Sequence, residues 1–475
     1  MRGVLLTHSY LLRNDPHEQE ILRPFPPLGL QSLVAYLRQQ GVAPVEWFDS
    51  TFASDTQAVL DAVEAMDPAV VGFYGHTVTR PVAQGLIAAC KAQGRVVVAG
   101  GPDPVQYLDE YLGFGVDVVV VGEGELTLHE LVMAVEAHGG RRPDDATLRA
   151  IRGIAFRAGQ ELVRTEPRPL IRPLDRLPWP ARDRRDHDEY FRVWRERHGE
   201  TALSMVTSRG CPFHCSWCSK QVYGDTFRRR GETDVIDELV SLRERFDPDQ
   251  IWFADDLFTI NRAWVHRFCQ QMVERRTTLP FYGIARPESL DAALCDALRR
   301  AGCYRIYCSA ESGAQHVLDR MRKDSTVQDI LRAGRLLRQA GIELGVFVML
   351  GYPGESRQDI DRTLEMLHTL EPDVVLVSVA HPMKGTTFYD EVADRLVGAP
   401  DGGPSHHGGR LRFRMRYPSA FYDTAQRLVW TETELARGLR RGPVDARLLR
   451  LLVQAPALRS RLWWESRRDR GDAPT

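Results

Sequence analysis

No apolar run in this chain approaches the roughly twenty residues that a membrane-spanning helix needs, so no integral membrane segment is expected. Nor is a secretory leader expected: the apolar run in residues 1–8 is too short for one and reads as a first strand. Charge of neither sign dominates. With 62 Lys and Arg against 64 Asp and Glu the formal net charge is −2, which argues against a dedicated nucleic-acid binder. Paired cysteines are missing as well. Of the eight cysteines only Cys211, Cys215 and Cys218 are close together, and the others are scattered through apolar context. That argues against a disulfide framework and fits a reduced, cytoplasmic setting, with Cys90, Cys269 and Cys295 as small buried hydrophobes. No Gly-x-Gly-x-x-Gly follows the first strand, so a standard dinucleotide site is not expected.

What the chain does have is Thr207-Ser208-Arg209-Gly210-Cys211-Pro212-Phe213-His214-Cys215-Ser216-Trp217-Cys218. Three thiols at Cys-x3-Cys-x2-Cys spacing follow an apolar run over 202–206, so a short strand delivers them into a loop. Gly210 and Pro212 suit a tight turn there. Such a loop can wrap three thiolates round one iron–sulfur cube and leave one iron open to a substrate. The competing reading is structural zinc with His214 as fourth ligand. Zinc sites usually come as two separated pairs, however, and no second Cys/His pair lies nearby. His214 also adjoins Cys215, which is awkward for one tetrahedral ion. The spacing favours the cluster.

A chain of 475 residues suggests two or three domains. In residues 1–140, apolar strands over 3–7, 42–48, 69–74, 95–99 and 117–121 alternate with helical patterns over 28–40, 57–66, 81–93 and 126–137. That alternation predicts a doubly wound, Rossmann-like parallel sheet covered on both faces. Ligands of such sheets bind at the carboxyl ends of the strands. Those ends carry His8-Ser9-Tyr10, Gly75-His76-Thr77, Gly100-Gly101-Pro102-Asp103 and Gly122-Glu123-Gly124-Glu125. Residues 141–200 read as a linker holding a small hairpin near Gly159, a proline-marked connector and a solvated, partly helical Arg/Asp stretch. From 201 to 395, six strand-and-helix units predict a partial or full parallel barrel with its chemistry at the strand ends. Asp255, Asp256, Arg286, Glu311, Gly351 and Gly354 follow those strands. Residues 396–475 read as a mainly helical segment after a flexible break at 402–409. Within it, 447–470 mixes Leu, Trp463-Trp464 and arginines, and fits either a helix on anionic lipid or one packed on the protein.

In this order the cysteine loop, Phe253-Ala254-Asp255-Asp256-Leu257-Phe258-Thr259, Ala310-Glu311-Ser312-Gly313, Gly351-Tyr352-Pro353-Gly354-Glu355 and Pro382-Met383-Lys384-Gly385-Thr386 resemble the radical SAM superfamily. Pro26-Pro27-Leu28-Gly29-Leu30, Gly100-Gly101-Pro102 and Val121-Gly122-Glu123-Gly124-Glu125 resemble the cobalamin-binding type of domain that leads many of its members. The resemblance implies a partial (β/α)6 barrel whose Cys211, Cys215 and Cys218 ligate a [4Fe–4S] cluster. It implies Trp217 near the adenine of S-adenosylmethionine (SAM), and Asp255 or Asp256 at its amino group. Glu311 and the Gly351–Gly354 turn would contact SAM, and Arg286 would position SAM or substrate. Cobalamin would lie on the leading domain against Gly100, Gly101, Gly122 and Glu123, with His76 and Tyr74 as candidates for the cobalt face. The chain departs from the pattern twice. Asp-x-His-x-x-Gly, which places a histidine under cobalt in other cobalamin domains, is missing, and Ser309 stands where a glycine is usual.

The function so implied is a cobalamin-dependent radical SAM enzyme that cleaves SAM to a 5′-deoxyadenosyl radical and methylates an unactivated carbon of a small natural product or lipid. An external donor such as flavodoxin or ferredoxin would supply the electron. The alternative keeps the radical without methyl transfer, as a dehydratase, cyclase, epimerase or rearrangement enzyme, with or without cobalamin. A non-enzymatic iron–sulfur sensor leaves the paired carboxylates and the Gly-Tyr-Pro-Gly-Glu turn unexplained.

Overall fold

The computed structural model describes residues 2–397 and 412–467. The break at 402–409 and the end of the 447–470 stretch lie outside the described residues. The first sheet runs in the order Val45–Phe48, Val4–His8, Val70–Tyr74, Val96–Gly100, Val118–Val120, all parallel. Alternation along each strand feeds two cores. Val4 and Leu6 face Val34 and Leu131 on one side, while Leu5 faces Val63 and Ile87 on the other. This is the doubly wound arrangement expected from the apolar strands.

The hairpin expected within the linker belongs to this sheet. Ile154–Ala158 pairs antiparallel with Val118–Val120, and Glu161–Arg164 pairs antiparallel with Ile154–Ala158. Local turn chemistry predicts a hairpin but not the edge it joins. The Arg/Asp stretch forms the helix Arg184–His198, in line with a partly helical segment, but its Tyr190 and Trp194 are buried where a solvated surface was expected. Tyr190 Oη donates to Asp49 at 2.7 Å and Trp194 Nε1 to the Pro24 carbonyl at 2.8 Å. Two aromatics among many charges turn a solvated-looking segment into a brace for the first domain.

The second sheet takes its strands in chain order: Ala202–Met205, Gln250–Phe253, Phe281–Ala285, Cys303–Glu311, Glu343–Leu350, Val374–Val379. All pairings are parallel, so the sheet is a curled, open half-barrel. Several of its helices begin on side-chain caps, such as Asp291 accepting from Leu294 N and Thr326 from Asp329 N. The helix Ser419–Arg441 covers the last strand, where Gln426 Nε2 donates to the Val377 carbonyl at 3.0 Å. An edge that would otherwise template further pairing is thereby closed. The helix Ala446–Ser466 lies against it. No helix among the described residues is long and apolar enough to cross a membrane.

Candidate active site

The cysteine loop leaves the strand Ala202–Met205 through a two-residue ribbon, Ser208–Arg209 against Arg228–Arg229. Gly210 then takes φ +83°, and a Cβ there would stand 2.0 Å from the Thr226 carbonyl oxygen. No other residue type fits. Ser216, between the second and third thiols, is the anchor. Its N–H and hydroxyl both donate to the Met321 carbonyl, at 3.0 and 3.1 Å, and its carbonyl accepts from Phe388 N at 2.8 Å. Its Oγ also lies 2.6 Å from the Tyr352 hydroxyl. Three separate elements therefore set the loop's shape.

Cys211, Cys215 and Cys218 all line one cavity of about 750 Å³ between the two domains. Among the described residues, no three His, Cys, Asp or Glu side chains converge as ligands of a single metal ion. His214 is exposed and faces Asp225 at 3.6 Å. The three thiols thus line the cavity, while the His214 ring is turned to Asp225 at the surface. Burial pushes the Cys218 thiol up to about 11 and moves Cys211 in the same direction. Metal charge is what would hold them as thiolates.

The two adjacent aspartates part company. Asp255 is buried, accepting from Thr207 N at 2.6 Å and Ser208 N at 2.9 Å, with Arg229 at 3.2 Å. It locks the start of the cysteine loop. Asp256 lines the cavity instead, where burial and then the charge of Asp255 raise its carboxyl above the usual range. Glu311 sits at φ +61°, where the pairing of its strand slips register, and its buried carboxylate faces Lys323 at 3.4 Å. Burial raises the Glu311 carboxyl. A non-glycine residue in that backbone region is the kind of strain that collects at functional sites. Lys323 also lies 5.4 Å from the Trp217 ring centre, so the two share one wall. Arg286 lies 3.8 Å from the Phe213 ring centre, and its Nη1 is 3.8 Å from Cys215 Sγ. Ser309 lines the cavity too, and its buried Oγ has no hydrogen-bond partner among the described residues.

Gly351 and Gly354 do not line this cavity. Both hold left-handed backbone, φ +79° and +86°, which is what calls for glycine; the Met415 and Arg320 atoms nearest a Cβ there are the ends of flexible side chains. The Gly351 N–H donates to Glu355 at 2.5 Å. Burial pushes that carboxyl up to about 8. A carboxyl raised in the folded state contributes stability below the unfolded value near 4.5 that is lost as pH climbs towards 8. Glu355→Gln is expected to remove a loss of up to about 1.4 kcal/mol per pH unit across that window. Melting temperatures of both proteins from pH 5 to 8 check it. Parallel curves would refute the assignment.

On the first domain, Gly100, Gly101, Gly122 and Glu123 line the cavity with Tyr74. Gly122 has φ +88°, and only Val222 O, at 3.8 Å, comes near its missing Cβ. That leaves backbone open to a broad, flat ligand. His76 lies outside the lining. It opens the short turn Thr77–Thr79, its carbonyl accepting from Thr79 Oγ1 at 2.9 Å. Glu123 is committed elsewhere: it accepts from Arg209 at 2.6 Å, Arg228 at 2.7 Å and Ile171 N at 2.8 Å. Glu125 takes the other arm of Arg209 at 2.5 Å. Arg209, two residues before the first thiol, therefore clamps the loop to the strand ends of the first domain. Neither Arg209 nor Lys323 stood out in the sequence, because each acts through a partner distant in the chain.

Comparison with known proteins agrees with this geometry. Residues 205–367 match the family model of the Radical SAM superfamily, and residues 20–132 match that of the B12 binding domain. An uncharacterized methyltransferase of Pyrococcus horikoshii is 28% identical over 387 residues, covering 78% of this chain and 80% of the relative. An anaerobic magnesium-protoporphyrin IX monomethyl ester cyclase of Synechocystis is 27% identical over 402 residues, covering 82% and 78%. In fold the chain is similar to OxsB, a cobalamin-dependent SAM radical enzyme, with TM-score 0.75 and 17% identity over 96% of this chain and 71% of that one. It is similar also to TsrM of Kitasatospora setae, a radical SAM methyltransferase solved with cobalamin and a [4Fe–4S] cluster, with TM-score 0.71 and 21% identity over 94% and 90%.

Proposed function

This chain belongs to the radical SAM superfamily, in the branch led by a B12-binding domain, and from that premise we propose that it transfers a methyl group to an unactivated carbon of a small natural product or lipid. Its cofactors are a [4Fe–4S] cluster, SAM and cobalamin. When bound, the reduced cluster supplies the electron that cleaves SAM to a 5′-deoxyadenosyl radical, and cobalamin supplies a methyl carrier. The observation that carries the reading is the single cavity. The three thiols and the glycine strand ends of the first domain open into the same space, with Arg209 holding the two walls together. Methyltransferase names among the relatives support it.

In this reading Cys211, Cys215 and Cys218 hold the cluster and Trp217 flanks the adenine. Asp256, not Asp255, accepts from the SAM amino group, since Asp255 is already saturated by Thr207, Ser208 and Arg229. Glu311 and Lys323 face the remaining polar groups of SAM. Arg286 steadies Cys215 and Phe213, while Gly100, Gly101 and Gly122 leave room for the corrin. The unsatisfied Ser309 hydroxyl offers one hydrogen bond to SAM or substrate. We take a small redox protein, such as flavodoxin or ferredoxin, as electron donor and the cytoplasm as the setting, in keeping with eight free thiols.

The aspartate pair tests these roles. Asp255→Asn is expected to cost about 3 kcal/mol of stability by uncovering buried Arg229. Asp256→Asn should leave the melting temperature unchanged but weaken SAM binding about tenfold, through one lost charge-assisted hydrogen bond. Thermal melts and SAM titration separate the two, and the opposite pattern would reverse the assignment. Methyl transfer itself is tested by anaerobic reconstitution with SAM, reductant and hydroxocobalamin. Bound corrin absorbance and S-adenosylhomocysteine alongside 5′-deoxyadenosine are expected. 5′-Deoxyadenosine alone would favour the second reading, radical ring formation without methyl transfer, which the cyclase-named relatives support.

A further inference from the structure

Arg286 follows the third strand of the half-barrel, Phe281–Ala285, and its side chain reaches the cysteine loop. It is buried, with 3% of the residue exposed. One edge of its guanidinium is fully engaged. Nε pairs with Glu288, and Nη2 donates to the Lys323 carbonyl and to Ser325 Oγ, the latter at 3.1 Å. Ser325 Oγ in turn donates to the second oxygen of Glu288 at 2.7 Å. The planar group lies over the Phe213 ring, 3.8 Å from its centre. The fork is thereby fixed in place and in plane, and Nη1 is the arm left over. That arm meets Cys215 Sγ at 3.8 Å, within reach of an N–H···S hydrogen bond.

An ion pair with Glu288 does not by itself explain this placement. Burying a cation is costly, and the Glu288 side chain is 30% exposed, so the same pair could have formed at the surface. What the buried position adds is the contact with sulfur. The other cations near the thiols are engaged differently: Lys220 is held by Asp225 at 2.5 Å, and Lys323 faces Glu311 at 3.4 Å.

We propose that Arg286 is a redox-tuning residue: its Nη1–H donates to the Cys215 sulfur and raises the reduction potential of the [4Fe–4S] cluster that the three thiols hold. One-electron reduction by the external donor adds a negative charge that spreads over iron and sulfur. A hydrogen-bond donor on a ligating sulfur, with positive charge behind it, favours that reduced form over the oxidised one. Glu288 opposes the effect by offsetting part of the cation's charge, so the site has two levers of opposite sign. In this role Arg286 acts through the sulfur and is a positioning residue. The proposal rests on the cluster reading of Cys211, Cys215 and Cys218.

The test is a redox titration of the reconstituted full chain without SAM or cobalamin, following the electron paramagnetic resonance of the reduced cluster against solution potential. Arg286→Met removes the donor and leaves Glu288 its hydrogen bond from Ser325. At a fixed potential the ratio of reduced to oxidised cluster is expected to fall about tenfold, a downward shift of about 59 mV for one electron. Glu288→Gln should raise that ratio, because the cation loses its counter-charge. Iron content and melting temperature are measured alongside, since a merely structural Arg286 would change stability and leave the potential where it was. A loaded Arg286→Met cluster at the parent's potential would overturn the proposal. If that variant holds no iron, Glu288→Gln decides, and an unchanged or lowered potential there would overturn it as well. A parent chain that loads no cluster would overturn the cluster reading and the proposal with it.

Discussion

Cys215→Ala protein is expected to come out of anaerobic reconstitution without the absorbance of a [4Fe–4S] cluster and to form no 5′-deoxyadenosine from SAM above background. Three thiolates are the whole protein ligand set of a cube with one open iron, so losing one leaves two ligands and no chelate. Cys215 also has a neighbour the other two lack. Arg286 Nη1 stands 3.8 Å from its sulfur while the same guanidinium donates to Ser325 at 3.1 Å and covers the Phe213 ring. Removing the thiol leaves that guanidinium its ion pair with Glu288, so the expected loss falls on the cluster and not on a buried charge. Cys211→Ala and Cys218→Ala should lose the cluster too. His214→Ala is the control that separates cluster from zinc: it should retain full iron, because its ring lies at the surface facing Asp225. Iron loss in the His214 variant, or stoichiometric zinc in any variant, would sink the ligand assignment.

Gly210→Ala carries the second large effect, for a reason that has nothing to do with ligation. The residue must hold φ +83° with its Cα pressed towards the Thr226 carbonyl, which a Cβ would approach to 2.0 Å. Left-handed backbone alone costs an alanine about 1 kcal/mol or more. The clash adds to that, because the carbonyl is backbone and the segment cannot slide. On one side Arg209 is tied to Glu123 and Glu125, and on the other Arg228 is tied to Glu123. A fall in melting temperature of roughly 5 °C or more is expected, together with loss of cluster loading. Gly224→Ala is the matched comparison. Gly224 also has positive φ, at +64°, but a Cβ there meets nothing within 4 Å, so only the backbone strain remains. Equal losses at both positions would show that strain, and not the Thr226 contact, sets the cost.

The residues that were legible early are those whose role is local. The Cys-x3-Cys-x2-Cys spacing needs no partner from elsewhere to be read, and the alternation of short apolar strands with helices predicts two parallel sheets because buried strands leave an unbroken apolar signature. Both sheets are present. Gly100, Gly101 and Gly122 line the cavity, since strand ends in a doubly wound sheet converge by topology. Elsewhere the tertiary structure gives a residue partners that the sequence does not show. Glu123 was expected at the corrin, yet its carboxylate is taken up by Arg209 and Arg228, 86 and 105 positions away. His76 follows the correct strand but begins a turn beside the cavity lining. Gly351 and Gly354 stand outside the lining, and their left-handed backbone is what calls for glycine.

Sequence alone thus determined the order of the domains, the kind of sheet in each and the three thiols, because each of these is written in spacing and period along the chain. Only the tertiary structure decided which of Asp255 and Asp256 faces the cavity. Adjacent residues project to different sides, and it is the Thr207–Ser208 turn and Arg229, far apart in the chain, that claim the first. The buried Lys323 facing Glu311 and the Arg209 clamp that makes one space of two domains were likewise decided there. Each depends on which surfaces meet, and a motif read along one strand of sequence carries no record of its neighbours across the fold.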